Sequence, residues 1–418
     1  MNKFIITFLL TYLCAISSGC NPDSISKNIK EPEQKPPSKQ GKDLVSSPGT
    51  FDEVLEKKFS AYTSTFGKPV GIAVIVRDKS GTLFGQYGFD KPYTLNTRHH
   101  AASTSKTFTS AAILKLHQEG KLNIDDLITD TIPNRNKPYL PDNDLFKIPY
   151  KSQITIRQLL SHRAGVFDVT NNDIPETVDA PYAGQRFVDY LMRKKGETHT
   201  FTKEELLAPV SKGQISFFKP GKDFHYSNTG YQLLGIIVER VSGSPLDQYL
   251  SNNFLKPLHM NESAFIVTGS HKNSTATIDN YLQVDGKVFK PPFDNLSSAQ
   301  ADGNLVTTLA DLSNWAYRLW GTNDILNSET LAQMNAQKAT ADRHGTYGLA
   351  TTKKPKDLGI GHDGARAGFM TVMRYHPPTK SSYVAVMNIL NVDDMHSEDK
   401  VLVEAIREAI KWKQKESK

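Results

Sequence analysis

Cysteine is nearly missing from this chain of 418 residues: there are two, Cys14 and Cys20, both within the first twenty positions. That count excludes a disulfide-braced body, a cysteine nucleophile and a cysteine-rich metal site. Charge of one sign is not in large excess either, since 50 Lys and Arg stand against 44 Asp and Glu. No dense basic stripe with interleaved aromatics occurs, so nucleic acid is not an expected partner. The P-loop, the H-E-x-x-H pattern and the G-x-S-x-G elbow are absent. Twelve histidines are scattered without ligand spacing. The adjacent pair His99-His100 reads as structural, and neither metal nor cofactor is expected.

What is present begins with a leader. Lys3 supplies a positive start, and residues 4–16 form an apolar run too short for a comfortable bilayer span. Small residues Ser17, Ser18 and Gly19 lead to Cys20. The pattern resembles a bacterial lipobox, in which the cysteine is acylated and becomes the new N-terminus. A plain signal peptide cut near this point is the alternative. Residues 1–19 are read as the leader, and the expectation is export with a lipid anchor at Cys20, periplasmic or on the outer surface. Residues 20–49, rich in Lys, Pro, Ser, Glu and Gln, cannot bury a core and read as a flexible tether. The folded body is expected over 50–418.

Within it, Phe51, Val54, Leu55, Phe59, Tyr62 and Phe66 recur at helical spacing, and Thr50 with Glu53 has the form of a capping box. Two β-rich runs follow, 70–76 and 82–87, separated by the hairpin signal Asp78-Lys79-Ser80-Gly81. The C-terminal end mirrors this: runs 369–375 and 383–390 joined at Pro377-Pro378, then a helix opened by Ser397 with Leu402, Ile406 and Ala409 or Ile410 as its apolar face. Helical patterns fill the middle, at 108–119, 156–160, 230–241, 245–255 and 309–319. The spacing predicts an α/β (α+β) body. Its antiparallel sheet, from roughly 50–95 and 340–418, is flanked by terminal helices and carries a mostly helical insertion over roughly 103–320.

Three short patterns carry chemistry. Ser103-Thr104-Ser105-Lys106 follows an extended segment, 98–102, and precedes a helix. Ser103 is therefore expected at a helix N-terminus, where unpaired N–H groups favour negative charge. Lys106 lies one turn on, on the same face. A serine hydroxyl needs a base, and a desolvated Lys can act as one or hold a second base ionised. S-x-x-K also occurs at 24–27 and 397–400, and a K-x-G at 79–81, so the pattern alone is weak. Tyr226-Ser227-Asn228 is the only Tyr-x-Asn in the chain. A tyrosine beside a cation can serve as general base, and an asparagine amide offers a donor and an acceptor to a substrate amide. His362-Asp363-Gly364-Ala365 reads as a strand edge, with Gly364 allowing close backbone approach.

In this order the patterns resemble the active sites of serine β-lactamases and penicillin-binding enzymes. Residues 154–166, 218–234 and 303–312 look like further stretches of the same group, the class C β-lactamase-related superfamily. It also includes D-Ala-D-Ala carboxypeptidases, D-aminopeptidases and carboxylesterases. The resemblance implies a β-lactamase/transpeptidase-like fold and a covalent acyl-enzyme on Ser103. It also implies Tyr226 and Lys106 as the base pair, and an oxyanion hole from the N–H groups of Ser103 and Ala365. It departs at the third pattern, where class C β-lactamases carry Lys-Thr-Gly. Asp363 would repel a substrate carboxylate, and Arg366 would either compensate it or face water. The expected partner is a small-molecule or peptide amide or ester. A β-lactamase and a slow penicillin-binding sensor are the alternatives.

Overall fold

The computed structural model describes residues 50–270, 276–342, 344–353 and 355–416. The leader, Cys20 and the tether lie outside them. Helix α1 (Thr50–Ser64) is followed by strands β1 (Ile72–Asp78), β2 (Gly81–Tyr87) and β3 (Arg98–His100). A helical stretch comes next: α2 (Lys106–Gln118), α3 (Ile156–Leu160), α4 (Phe187–Lys195), α5 (Lys203–Gly213), α6 (Asn228–Ser242) and α7 (Leu246–Leu250). Short strands β4 (Ala264–Phe265), β5 (Tyr281–Val284), β6 (Lys287–Phe289) and β7 (Leu305–Thr308) lead to α8 (Leu309–Gly321) and α9 (Ser328–Met334). The chain ends in β8 (Lys338–Ala339), β9 (Thr346–Tyr347), β10 (Ile360–Arg366), β11 (Phe369–His376), β12 (Ser381–Met387), β13 (Ile389–Asn391) and α10 (Met395–Glu416).

The main sheet has the order β10-β11-β12-β1-β2, antiparallel throughout. The two ends of the chain thus meet where β1 pairs with β12. Its side chains alternate between two cores, as the pleat requires. Ala73, Ile75, Met373, Val384 and Val386 join the large core beneath the helical middle of the chain. Ile72, Val74, Val76, Val372, Ala385 and Met387 pack against Phe51, Leu55, Leu402 and Ile406 of α1 and α10.

Three local readings are corrected. The apolar run 383–390 is not one strand: at Asn388 the chain leaves the sheet, and β13 pairs in parallel with β5. The buried Asn388 side chain accepts from Gly71 N and donates to Pro69 O and Asp279 O, taking over backbone partners the ladder would have supplied. The last helix begins at Met395, ahead of Ser397. The helix expected over 245–255 becomes π-type at Ser251–Leu255.

Candidate active site

The turn that carries Ser103 is built where β3 ends. Ala102 has φ 50°, so the segment 98–102 is extended only to His100 and then reverses. A left-handed alanine is costly and persists only where its surroundings hold it. Here they do: Ala101 N donates to Leu305 O, Thr104 Oγ1 to Ala101 O, and Ser105 Oγ to Ala102 O. Ser103 lies in the 3-10 turn Ala102–Ser105, which runs directly into α2. That helix is anchored deeper down by Trp315, whose indole N–H donates to Thr107 and whose ring stacks on Phe108 at 3.7 Å.

Lys106 is wholly buried. Its ammonium donates to Ser103 Oγ at 3.2 Å, Asn228 Oδ1 at 2.6 Å and the Asp302 carbonyl at 3.0 Å. Those three bonds use all of its hydrogens. The Asp302 carboxylate lies 3.8 Å from Nζ. Asn228 is the first residue of α6. It is oriented by its own N–H on Asp168 Oδ2 and by Nδ2 on Thr170 Oγ1. One amide hydrogen of Asn228 is left for a substrate.

Tyr226 stands just before α6, and the Lys106 ammonium sits 4.8 Å from its ring centroid. The structure brings the two together by cation–π contact rather than by a hydrogen bond. The Tyr226 hydroxyl has no hydrogen-bond partner among the described residues. His162 packs on the ring at 4.1 Å and His344 lies parallel to it at 5.4 Å. Burial, reinforced by the charge of Lys106, pushes the His162 imidazole well below its ordinary range. His162 Nδ1 accepts from Ser227 N, so Nε2 carries the proton.

The third pattern lies within β10, an edge strand. A two-residue turn, Ala367 (φ 41°) and Gly368 (φ 85°), joins it to β11. Such a turn makes Arg366 and Phe369 the closing hydrogen-bonded pair, so that Ala365, Asp363 and Gly361 direct their N–H and C=O off the free edge. Gly361 confirms the alternation, since it exchanges both bonds with Thr352 across that edge. The Ala365 N–H therefore faces the same side. Gly364 supplies the close approach: a Cβ there would stand 2.4 Å from Ala101 O and 3.1 Å from Ser103 N.

His362 is buried and points toward Tyr226, with ring centroids 6.3 Å apart. Its Nδ1–H donates to Asp363 O at 2.6 Å, and Nε2 accepts from the Tyr347 hydroxyl at 2.8 Å. Burial, then the charge of Lys106, hold it well below the ordinary histidine range. An ordinary value near 6.5 is thus not kept, and His362 is neutral at physiological pH.

Asp363 and Arg366 depart from expectation. The pleat turns Asp363 to the far face of the sheet, where Arg374, itself fully buried, donates to its carboxylate at 2.7 Å. Its charge is neutralised there and does not repel a ligand in the site. Arg366 neither compensates Asp363 nor faces water: it pairs with Asp294 through two bonds of 2.8 Å and reaches Ser298 Oγ and Asn295 O. Several residues that shape the site gave no motif signal. Asp168, Thr170 and Gln232 hold Asn228 and Asp302, and Tyr347 holds His362. Of the residues around the site, His162 and Gln232 lie within stretches singled out by sequence, and Asp302 directly before one. Among the described residues no cluster fit to hold a metal ion is found.

The chain is similar to several known proteins. Protein flp of Staphylococcus aureus is 32% identical over 254 residues, covering 58% of this chain and 44% of that protein. Probable hydrolase M10 of a Phoma species is 26% identical over 296 residues, 66% of this chain and 47% of its own length. The chain thus spans less than half of the curated relatives it matches. A D-stereospecific amidohydrolase from Streptomyces superposes with a TM-score of 0.67 at 22% identity, covering 85% of this chain and 98% of that one. The D-amino acid amidase of Ochrobactrum anthropi SV3 gives 0.66 at 22% identity, covering 87% and 98%. These likenesses establish a β-lactamase/transpeptidase-like fold. The family model described as Beta-lactamase matches residues 59–407, and this chain belongs to the beta-lactamase family.

Proposed function

We propose that the protein is a serine hydrolase that acylates itself on Ser103, acting on neutral amides or esters of the D-amino-acid amide or peptide kind. The observation that carries this reading is the fully buried Lys106 ammonium 3.2 Å from Ser103 Oγ, with Gly364 packed on the Ser103 amide. Ser103 Oγ attacks the acyl carbon while its proton passes to the Tyr226 oxygen, acting as a phenolate beside the Lys106 ammonium, and the oxyanion is met by the N–H groups of Ser103 and Ala365. The proton then goes to the departing amine or alcohol, and water releases the acyl group. The D-amino acid amidases are fold neighbours only, so they support the substrate class by analogy.

A neutral His362, where class C β-lactamases place a lysine, weakens the attraction for the carboxylate of a β-lactam. The test is a panel of a D-amino-acid amide, a D-Ala-D-Ala peptide, a short nitrophenyl ester and a chromogenic cephalosporin, with intact-mass detection of adducts. Ser103→Ala should lose turnover and adduct together, by on the order of 10³-fold or more. An adduct elsewhere, or cephalosporin turnover outrunning the others, refutes the reading. We also propose export and acylation at Cys20, tested by labelled-palmitate incorporation and its loss in Cys20→Ala.

A further inference from the structure

We infer that the Asp302 carboxylate is the counter-ion that keeps Lys106 an ammonium in the resting site, so that the proton of Ser103 passes to Tyr226 rather than to Lys106. Asp302 is then a positioning residue, acting through Lys106. The inference rests on the acyl-enzyme reading for its chemistry but not for its electrostatics.

A cation out of contact with water needs an anionic partner. Among the described residues the only carboxylate within 4.0 Å of Lys106 Nζ is Asp302, at 3.8 Å. Asp302 engages Lys106 twice, by this carboxylate and by its main-chain carbonyl at 3.0 Å. The carboxylate is fixed from α6, where the buried Gln232 donates to Oδ2 at 2.5 Å. The same helix presents Asn228, the other acceptor of Lys106. Apart from Tyr226, the base of the acyl-enzyme reading, whose ring centroid lies 4.8 Å away, the groups around the ammonium are uncharged: Tyr231 at 5.4 Å, and His162 and His362, which burial keeps neutral. Two further charges act on Asp302, namely Arg366 from β10 and Asp168 from the connection between α3 and α4.

The hydrogen-bond pattern makes the consequence specific. An amine at Nζ keeps two hydrogens. Asn228 Oδ1 and the Asp302 carbonyl, which can only accept, would take both. The lone pair would then face Ser103 Oγ, and Lys106 would be a competent base. The carboxylate is what disfavours that state. Burial pushes the Asp302 carboxyl up to about 6, partly offset by Lys106, Arg366 and Gln232. It is therefore ionised at pH 8 and mostly protonated at pH 5.

The test follows Lys106 directly by NMR of protein carrying ¹³Cε-lysine, the resonance being assigned by its loss in Lys106→Arg. In the unsubstituted protein this resonance should show a small step near pH 6 as Asp302 titrates. In Asp302→Asn its own deprotonation should move down by more than one pH unit, and in Asp302→Glu it should stay close to the parent value. No step near pH 6, or an unmoved Lys106 in Asp302→Asn, overturns the assignment. Kinetics give the second arm. Tyr226→Phe should cost about 10²- to 10⁴-fold in the parent and less than about 10-fold in the Asp302→Asn background, where Lys106 takes over. Equal losses in both backgrounds overturn it. Turnover surviving in Ser103→Ala would remove the acyl-enzyme reading instead, leaving the NMR result to decide the counter-ion.

Discussion

The two faces of the main sheet use buried charge in opposite ways. On the inner face, Lys106 and Asp302 are hydrogen-bonded to Asn228, Gln232 and Ser103, and the ion pair adjoins the Ser103 hydroxyl, the proposed nucleophile. On the outer face, under α1 and α10, Arg374 pairs with Asp363 and the ordered groups around them serve packing. Strand β10 supplies both faces from successive residues: His362 and Gly364 inward, Asp363 and Ala365 outward. A motif on a strand is therefore divided by the pleat, whereas Ser103 and Lys106, three apart on a helical turn, converge. The comparison predicts that inward substitutions change rate and leave stability, and outward ones do the reverse.

Among substitutions on the main sheet, the largest expected effect is at Gly364. In Gly364→Val the added side chain must displace Ala101 O and the Ser103 amide, which disturbs the proposed oxyanion donors. Acylation should slow by about 10²- to 10³-fold, with the melting temperature changed far less. A variant that acylates Ser103 at the parent rate would show that this approach is not used.

Asp363→Ala is the matching outward break. It removes the carboxylate that faces the buried Arg374, at a cost of about 2–3 kcal/mol. This lies below the range for a fully buried pair because the Asp363 side chain is 30% exposed. Denaturant midpoints should fall while kcat/KM for a neutral ester stays within about 3-fold. If the ester-to-cephalosporin ratio moves instead, Asp363 faces the ligand after all. The double change Arg374→Met with Asp363→Leu should recover most of the stability.

His362→Lys tests inward charge. It should raise kcat/KM for an anionic β-lactam relative to a neutral ester by about 10-fold, the scale of one charge pair of roughly 1.4 kcal/mol. An unchanged ratio across pH 6–9 would remove His362 from selectivity.

The smallest effect belongs to Glu398 near the start of α10. Burial pushes its carboxyl up to about 7, against hydrogen bonds from Tyr62 and Ser397. Because the folded value lies above the ordinary one near 4.5, the native state holds a proton that the unfolded chain has lost. This contribution to stability is complete below about pH 4.5, declines up to about pH 7 and is flat above. Glu398→Gln should flatten that slope and gain about 1 kcal/mol at pH 8. Melting curves from pH 4 to 8 with identical slopes in both proteins would contradict it.

Much of this was legible without coordinates. The β-rich runs at 70–76, 82–87 and 369–375 are legible from local composition, and the apolar stripe of Leu402, Ile406 and Ala409 from a local period, which decides which side of a helix is buried. The Ser103–Lys106 juxtaposition is legible for the same reason, as is the need for glycine at 364. What depends on distant chain was not legible. Asn388 ends a strand by bonding residues 69, 71 and 279, and nothing in the run 383–390 announces it. Arg366 looks like a free cation until Asp294, 72 residues away, is folded against it.

The sequence by itself determined the class of body, the order of its elements and the trio of patterns, because these follow from composition and from spacing along one helix or strand. Only the tertiary structure decided the charge state and partners of the site. It neutralised His362 by burial, turned Asp363 to the opposite face, and set Asp302 beside Lys106 across 196 residues. Electrostatics in a low-dielectric interior depend on through-space distance and on exclusion of water, and neither quantity is written in local spacing.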